Sequence, residues 1–374
     1  MRRSLVTTDS LVWTAETEYA VTVAAAEAGM GAAVSFAAPA RCPAAGRLAD
    51  AVEFIELPGE RPSSSAADFI ADARCLAGLV RRGGFDVVHS SRPTAHMLTA
   101  AATGGRVPLV HLRGSASAPS GHAANRFLYR RATDAVITSS TRIRQWVEER
   151  LGVPPSRVHR LLAPVESSWF APPGSGSGSG RAAFNELGLP AGAPVVINVA
   201  RLAPIKGHDV LLEAMPRVVA EAGAVLLLVG EPWSGQPEGL REQARRLGIG
   251  DRVFFAGRRE DVRDLVAASD VCVTSSVGSE ENSRAVGEYM ASGRPVVATE
   301  VGVIPELVVD GETGYVVPPR EPGRMADAIL RVLGDRELAA RMGNEGRRVA
   351  DEALSPAAFV RGLESALKSA GAAG

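Results

Sequence analysis

Three features that decide the fold stand together in the stretch Glu280-Glu-Asn-Ser-Arg-Ala-Val-Gly-Glu288-Tyr-Met-Ala-Ser-Gly293-Arg-Pro-Val-Val-Ala-Thr299. Apolar side chains at helical spacing predict a helix over residues 283–292, and Gly293 predicts where it ends. The apolar run that closes at Thr299 predicts a buried strand. A helix start has unpaired amide groups and a positive dipole end, so the preceding loop is a candidate anion site. The carboxylates of Glu280 and Glu288 suit a ligand that carries hydroxyls as well as phosphate.

The same alternation of helix and strand runs through the whole chain of 374 residues. Strand candidates are 4–7, 33–36, 52–55, 86–89, 108–111, 134–138 and 158–161 in the first half, and 194–199, 224–229, 252–255, 270–274, 295–299 and 314–317 in the second. Helical patterns separate these strands. The alternation predicts an α/β protein with two Rossmann-like, doubly wound domains in tandem. Such sheets bind ligands at the carboxyl ends of their strands, so we expect the two domains to face a cleft.

A glycine- and serine-rich run near residue 175 marks the boundary between the halves. It predicts a first domain over 1–168, a flexible linker over 169–192 and a second domain over 193–354. A last amphipathic helix is expected over 355–370, capped by Ser355 with Pro356 at its first position. We expect this helix to pack back on the first domain.

Composition excludes several classes of function. The net charge is -1, so nucleic acid is not an expected partner. The 3 cysteines are widely spaced and fit neither a metal site nor a disulfide framework. Because no segment has the apolar length of a signal peptide or a membrane span, we expect a cytoplasmic protein.

A basic stretch in the first half is the exception to this even charge. Arg126-Phe-Leu-Tyr-Arg-Arg131, with the nearby Arg142, Arg144 and Arg150, could form a basic helix pair. Such a pair could contact the inner face of a membrane or an anionic acceptor. A solvated helix face is the alternative interpretation.

Two cations follow the first strand of the second half, in Arg201-Leu-Ala-Pro-Ile-Lys206-Gly207. Only two of the 41 basic residues are lysines, so the retention of Lys206 favours a site that needs a compact point charge. Two cations and a helix start at a strand end favour a diphosphate site, where they would oppose charge on a leaving group. The alternatives to a binding site are a surface cation pair for Arg201 and Lys206 and a solvated surface position for Glu288.

His89 and His111 end two strands of the first half. Both are expected at the carboxyl edge of that sheet, where an imidazole can act as a base or donate a hydrogen bond. For His89, a structural hydrogen bond to a neighbouring loop is an equal alternative. His111 is therefore the catalytic candidate of the first domain. No Walker loop and no G-x-G-x-x-G fingerprint stands at the expected strand ends.

Together these residues resemble the GT-B glycosyltransferases of family 4, the retaining class that uses nucleotide sugars. Arg201-x4-Lys206-Gly207 is similar to the family's R-x4-K-G element, and Glu280-x7-Glu288 to its E-x7-E motif. The similarity is strong over residues 195–319 and looser over the first domain. The resemblance implies an enzyme that moves a hexosyl unit, with retention, from a nucleotide-diphosphate sugar to a hydroxyl acceptor such as a cell-envelope glycan or glycolipid.

The resemblance also assigns residues to roles. The implied catalytic residues are His111, Glu280, Arg201 and Lys206. The implied donor-binding residues are Arg201, Lys206, Gly257, Arg258, Glu280, Asn282, Ser283 and Glu288. In these roles the cation pair holds the diphosphate, Glu288 holds the ribose and Glu280 faces the sugar, while the acceptor lies on the first domain near His111 and Arg113. Neither a cofactor nor a metal is expected, because no D-x-D motif appears and the cations can replace a metal.

The sequence departs from the family pattern at three places, one of which is Gly302-Val303 in place of the usual Gly-Gly. Trp13-Thr14-Ala15 stands where the first loop usually has Gly-Gly, and Glu281-Asn282-Ser283 replaces the usual Gly-Phe-Gly. Three alternatives therefore stay open: a GT-B phosphorylase, a sugar-nucleotide epimerase, and a non-catalytic partner protein that binds sugar nucleotides. The sequence does not select among UDP-, GDP- and ADP-sugars.

Overall fold

The computed structural model describes residues 1–57, 66–170, 178–232, 236–278 and 280–372. They form two compact units. Unit 1 comprises Met1–Ala163 and Pro356–Gly374, and unit 2 comprises Pro164–Ser355.

Unit 1 is built on a parallel sheet with seven strands in its described part, in the order β3-β2-β1-β4-β5-β6-β7. The strands are β1 (Arg3–Thr8), β2 (Ala33–Pro39), β3 (Val52–Leu57), β4 (Val87–Ser91), β5 (Leu109–Arg113), β6 (Ala135–Thr138) and β7 (Val158–Arg160). The helices are α1 (Ala15–Gly29), α2 (Ala66–Gly83), α3 (Pro93–Thr103), α4 (Ala123–Arg131), α5 (Thr141–Gln145), which continues as a π-helical turn, and the C-terminal α14 (Pro356–Ser369).

Unit 2 repeats this design with a parallel sheet of six strands in its described part, in the order β10-β9-β8-β11-β12-β13. The strands are β8 (Val195–Val199), β9 (Val225–Val229), β10 (Val253–Gly257), β11 (Val271–Thr274), β12 (Val296–Thr299) and β13 (Gly314–Val317). The helices are α6 (Gly178–Glu186), α7 (His208–Ala222), α8 (Gln236–Arg246), α9 (Val262–Ala268), α10 (Arg284–Ala291), α11 (Ile304–Leu307), α12 (Pro322–Gly334) and α13 (Arg336–Ala353). The prediction of two Rossmann-like parallel sheets is confirmed.

The central strands are apolar because helices cover both faces of each sheet. All five residues of β9 are buried, and Leu226 and Leu228 join a core that α7 and α12 close from one side. In unit 1 the corresponding layer is formed by α1 and α14. Each buried leucine or valine of these layers contributes roughly 1.5–3 kcal/mol of transfer free energy.

The C-terminal helix α14 belongs to unit 1, where it packs on α1, β6 and β7. The ring of Phe359 meets the ring of Tyr19 edge-on, with centroids 5.8 Å apart. The hydroxyl of Tyr19 donates to the carbonyl of Leu161 at 2.9 Å, so its buried polar end is satisfied.

The segment that was expected to be a linker is helical in part. Residues 171–177 of that prediction lie outside the described residues, but α6 follows directly and packs on α9 within unit 2. A Cβ atom at Gly180 would stand 2.2 Å from the carbonyl oxygen of Asp264. That glycine therefore serves a close helix contact, which a low-complexity sequence does not reveal.

The strand order of each sheet reverses once. The reversal falls between β1 and β4 in unit 1, and between β8 and β11 in unit 2. At such a point the connections on the two sides run in opposite directions and leave a crevice beyond the carboxyl ends of the strands. These two crevices are where each unit is expected to bind its ligand.

Candidate active site

An ion pair lies at the reversal point of the unit 2 sheet. Lys206 follows β8 and Glu280 follows β11, and the Lys206 ammonium donates to Oε1 of Glu280. The side chains are 21% and 8% exposed, so the pair is largely shielded while still open at one side. The structure thus brings together two residues that the sequence placed 74 positions apart.

The loop that carries Lys206 is shaped by a glycine. Pro204–Lys206 form a 3₁₀ turn, and Gly207 then starts α7 with a φ of 62°. A Cβ atom at Gly207 would stand 2.1 Å from the carbonyl oxygen of Ser275. Only glycine satisfies both the positive φ and this close approach. Arg201 lies at the start of the same loop, with an exposed side chain.

Buried His208 is the first residue of α7 and follows the Lys206 loop. Burial, and then the positive charge of Lys206, lower the pKa of His208 to about 4. The imidazole is therefore neutral at neutral pH and adds no charge to the loop. A neutral ring does not repel the ammonium of Lys206.

Helix α10 fixes the second carboxylate of the motif. Tyr289 is fully buried, and its hydroxyl oxygen accepts the backbone N–H of Val199 at 2.7 Å, which ties α10 to the end of β8. Glu288, on the adjacent face, is 19% exposed, and its Oε1 lies 3.4 Å from the guanidinium of Arg284. Glu288 is thus a partly shielded surface carboxylate on a helix that is anchored to the end of β8.

The loop before α10 has an unusual backbone at its last residue. Ser283 precedes the helix with φ 34° and ψ 51°, the left-handed region that favours glycine. Ser283 is buried, and its hydroxyl has no hydrogen-bond partner among the described residues. Glu281 is also buried and Asn282 is half-buried, so the three residues that replace Gly-Phe-Gly face inward rather than into solvent.

Gly257 and Arg258 lie at the end of β10. Gly257 has a φ of 66°, and its carbonyl accepts the N–H of Gly230 at 2.8 Å. The guanidinium of Arg258 reaches Glu231 at 3.3 Å, with both side chains exposed. A Cβ atom at Gly230 would stand 1.9 Å from the carbonyl oxygen of Ala200. Sequence reasoning missed Gly230, although a glycine directly after a strand is a signal for such a close approach.

His111 does not lie where the sequence predicted it. It was expected to present its ring at the ligand edge of unit 1, yet the ring is fully buried and stacks on His96 at 3.7 Å. Burial lowers its pKa well below the usual value, and His96 and Arg113 lower it further. Its Nδ1 lies 3.1 Å from the Ser90 hydroxyl, so in this structure the ring supports β4 from within the sheet. Sequence reasoning assigned no special placement to His96, the stacking partner.

His89 takes the structural alternative. Its Nε2 pairs with Oε1 of Glu27 at 2.7 Å, and both side chains are fully buried. Burial by itself would raise the pKa of Glu27, but its pairing with His89 lowers the pKa overall. The pair joins α1 to β4 inside the core of unit 1.

A second ion pair lies at the reversal point of the unit 1 sheet. Asp9 follows β1 and Arg92 follows β4, with Nε and Oδ1 2.9 Å apart. Burial raises the pKa of nearby Glu16, which Arg92 and Arg113 lower in part. Arg113, at the end of β5, donates to the carbonyl of Ser117 at 2.6 Å. Guanidinium and carboxylate groups thus balance one another here.

The first loop of unit 1 is occupied by its own side chains. Thr14 caps α1 by accepting the N–H of Thr17 at 3.2 Å, and the Arg47 guanidinium lies 4.0 Å from the ring of Trp13. Trp13 and Thr14 are therefore engaged in contacts within unit 1, at the place where the family pattern has Gly-Gly.

Two family models match the chain. The model described as Glycosyltransferase Family 4 matches residues 17–168, and the model described as Glycosyl transferases group 1 matches residues 193–335. Among the described residues, none of the helices combines the length and apolar character that crossing a bilayer requires.

Curated relatives carry glycosyltransferase names. A D-inositol 3-phosphate glycosyltransferase of Acidothermus cellulolyticus is 33% identical over 263 residues, which cover 68% of this chain and 55% of the relative. An N-acetyl-alpha-D-glucosaminyl L-malate synthase of Bacillus anthracis is 32% identical over 164 residues, covering 43% of this chain and 42% of that protein. The chain spans about half the length of the curated relatives it matches, with 55%, 48% and 56% for three of the inositol-phosphate enzymes.

Solved structures share the fold. A glycosyltransferase from Rickettsia africae superposes with a TM-score of 0.87 at 18% identity, covering 98% of each chain. The Anabaena protein HepE, in complex with UDP and glucose, gives 0.82 at 22% identity, covering 99% of this chain and 100% of HepE. The two parallel-sheet units are thus those of a GT-B fold. The family models and the named relatives agree with the motifs of both units, and the chain belongs to glycosyltransferase family 4.

Proposed function

We propose that this chain transfers a sugar from a nucleotide-diphosphate sugar to a hydroxyl acceptor, with retention of the anomeric configuration. The observation that carries the proposal is the Lys206–Glu280 pair at the reversal point of the unit 2 sheet. It sets a cation for phosphate beside a carboxylate for hydroxyls, and a nucleotide sugar carries both groups. The glycosyltransferase names of the relatives support sugar transfer, and the UDP-glucose complex of HepE supports the donor class.

The donor is assigned to unit 2. Arg201 and Lys206 would hold the diphosphate, because ammonium and guanidinium groups form charge-assisted hydrogen bonds with phosphate oxygens. Glu288 would accept the ribose hydroxyls, and Glu280 would accept a sugar hydroxyl. Gly257 and Arg258 would border the base, while Asn282 and Ser283 would line the donor sugar.

The reaction needs no group beyond those on the donor and the chain. The anomeric carbon exchanges its bond to the diphosphate oxygen for a bond to the acceptor oxygen. The departing diphosphate keeps the electron pair and takes the acceptor proton. Positive charge from Arg201 and Lys206 would stabilise the leaving diphosphate, so we propose no metal and no cofactor.

The acceptor is assigned to unit 1. The balanced Asp9–Arg92 pair at the reversal point of that sheet suits hydroxyl groups, since the guanidinium can donate to a hydroxyl oxygen and the carboxylate can accept from a hydroxyl hydrogen. We infer a cell-envelope glycan or glycolipid as the acceptor. The exposed arginines of α4 would then hold the chain on an anionic membrane surface.

Two substitutions test the donor site. Lys206→Ala should weaken the affinity for a nucleoside diphosphate by about 1.5–3 kcal/mol, the range of a hydrogen bond to a charged group. Glu288→Gln should weaken donor binding while the unfolding temperature stays unchanged. Calorimetric titration with UDP, GDP and ADP measures both. Unchanged affinity in Lys206→Ala would remove the diphosphate assignment, and a collapse of the unfolding temperature in Glu288→Gln would assign that residue to stability instead.

Turnover separates the transferase from the alternatives. Incubation with UDP-, GDP- and ADP-sugars and a panel of hydroxyl acceptors should release the nucleotide and form a glycoside with retained anomeric configuration. A non-catalytic partner would bind the donor without release under any acceptor. An epimerase would convert the sugar while it stays attached to the nucleotide.

A further inference from the structure

Two consecutive serines connect the groups of the proposed donor site. Ser275 and Ser276 follow β11 and are buried. The hydroxyl of Ser275 donates to the backbone carbonyl of Lys206 at 2.9 Å. The hydroxyl of Ser276 donates to Oε1 of Glu280, the same oxygen that accepts from Lys206. One serine therefore reaches the backbone of Lys206 and the other reaches the carboxylate of Glu280.

The serine pair is itself held in place. The hydroxyl of Thr299, at the end of β12, donates to the carbonyl of Ser276 at 2.6 Å. The N–H of Val303 donates to the carbonyl of Glu280 at 2.8 Å, and a Cβ atom at Gly302 would stand 2.2 Å from that carbonyl oxygen. Glu280 is therefore fixed at its backbone and at one carboxylate oxygen. Such support limits the reorganisation that binding or reaction would require.

We propose that Ser276 is a positioning residue for Glu280, and that Ser275 fixes the backbone of Lys206 beside it. Because Oε1 already accepts from Ser276 and Lys206, we assign Oε2 to the donor sugar. Glu280 then accepts a hydrogen bond from one sugar hydroxyl in a fixed direction. This inference rests on the proposed donor site, and it names residues that neither the sequence motifs nor the family pattern singled out.

The test compares ligands with and without the sugar. Dissociation constants are measured for UDP against UDP-glucose, GDP against GDP-mannose and ADP against ADP-glucose, with the full chain. Ser276→Ala should lower the affinity for the sugar-bearing member of the pair that binds by about tenfold, the value of a lost hydrogen bond to a charged group. Affinity for the bare diphosphate should stay within about twofold, because the proposed site assigns the diphosphate to Arg201 and Lys206 and only the sugar to Glu280.

Two further variants guard the interpretation. Ser276→Thr keeps the hydroxyl and should restore most of the sugar-dependent affinity. Ser269→Ala is the matched control, because it removes a buried hydroxyl that donates to a helix carbonyl at 2.8 Å before the opposite end of β11. An equal loss for both members of a ligand pair, or no loss for either, overturns the positioning role. If wild-type protein binds none of the six ligands, the proposed function fails first and the positioning role fails with it.

Discussion

At the scale of single residues, backbone strain coincides with the proposed sites. Three non-glycine residues in the described part of the chain have a positive φ: Arg92 at 79°, Ser283 at 34° and Arg320 at 64°. Arg92 and Ser283 follow the strands at the reversal points of the two sheets, whereas Arg320 lies in an exposed loop after β13. Such strain persists where surrounding contacts enforce it, and it gathers at functional sites.

Ser283→Gly should separate stability from binding. Glycine relieves about 1–2 kcal/mol of left-handed strain but adds about 0.5–1 kcal/mol of unfolded-state entropy, so the free energy of unfolding should rise slightly or stay level. Donor-sugar affinity should fall several-fold, because the buried hydroxyl is removed. Urea unfolding and calorimetric titration measure the two effects.

Arg320→Gly is the matched control for that substitution. It makes the same backbone change in an exposed loop, so it should alter stability similarly and leave donor affinity unchanged. If Ser283→Gly binds the donor sugar as tightly as wild type, the hydroxyl has no part in recognition.

The neutral His208 predicts a pH dependence of stability. Its pKa is about 4 in the folded chain, below the value of roughly 6.5 in an unfolded chain. The unfolded state therefore binds more protons below pH 6.5, and the free energy of unfolding falls as the pH drops toward 4. From pH 7 to pH 5 this residue should remove about 2 kcal/mol.

Urea midpoints at both pH values measure the change, with His208→Gln for comparison. Whatever the starting stability of the variant, its loss of free energy of unfolding between pH 7 and pH 5 should be smaller than that of wild type. An equal loss in both proteins would assign the pH dependence to other groups.

At the scale of helices and strands, periodicity was sufficient to predict the sheets. Apolar runs such as Val225–Val229 indicate strands buried on both faces, and they form the central strands of the fold. The conformation of α6 was not predictable in this way, because its sequence is rich in glycine and serine. There the contact of Gly180 with α9 outweighs the low helix propensity of the segment.

Phe359→Ala tests how α14 is held on unit 1. The substitution removes a buried ring that contacts Tyr19, so it should destabilise unit 1 by about 3–5 kcal/mol. Hydrogen exchange followed by mass spectrometry should show faster exchange in α1, β6 and β7. Phe127→Ala, which removes a ring that is 66% exposed, is the control and should leave these segments protected. Equal protection in both variants would contradict the anchoring role of α14.

The candidate site was predictable only in part, for a physical reason. The spacing of the motif placed Glu280 in the loop before α10 and Glu288 on the helix. The end of β8 placed Arg201 and Lys206 at the carboxyl edge of the sheet. The spacing of residues did not predict how deeply each side chain is buried. His111 was expected at a strand end, yet it lies in the middle of β5 and its buried ring stacks on His96. Ser275 and Ser276 carry no distinctive pattern, because a serine hydroxyl acquires its role only from the partners that folding supplies.

At the scale of the whole molecule, charge is balanced overall but uneven on the surface. The net charge is -1, while α4 exposes Arg126, Arg130 and Arg131 around the exposed ring of Phe127. The Arg126 side chain donates to the carbonyl of Arg150 at 3.2 Å, which brings the end of the π-helical turn beside α4. An aromatic ring surrounded by cations suits the interface of an anionic bilayer.

Each arginine near an anionic surface contributes about 1 kcal/mol of attraction, so reversing charge at two of them should remove most of the binding. Arg130→Glu with Arg131→Glu should reduce co-sedimentation with vesicles of phosphatidylglycerol and phosphatidylcholine at least tenfold, and raised salt should reduce wild-type binding in parallel. Vesicles of phosphatidylcholine alone should bind neither protein, and UDP affinity should be unchanged, since both arginines lie in unit 1. If wild-type chain does not sediment with the anionic vesicles, α4 is a solvated face, and the acceptor must then reach unit 1 from solution.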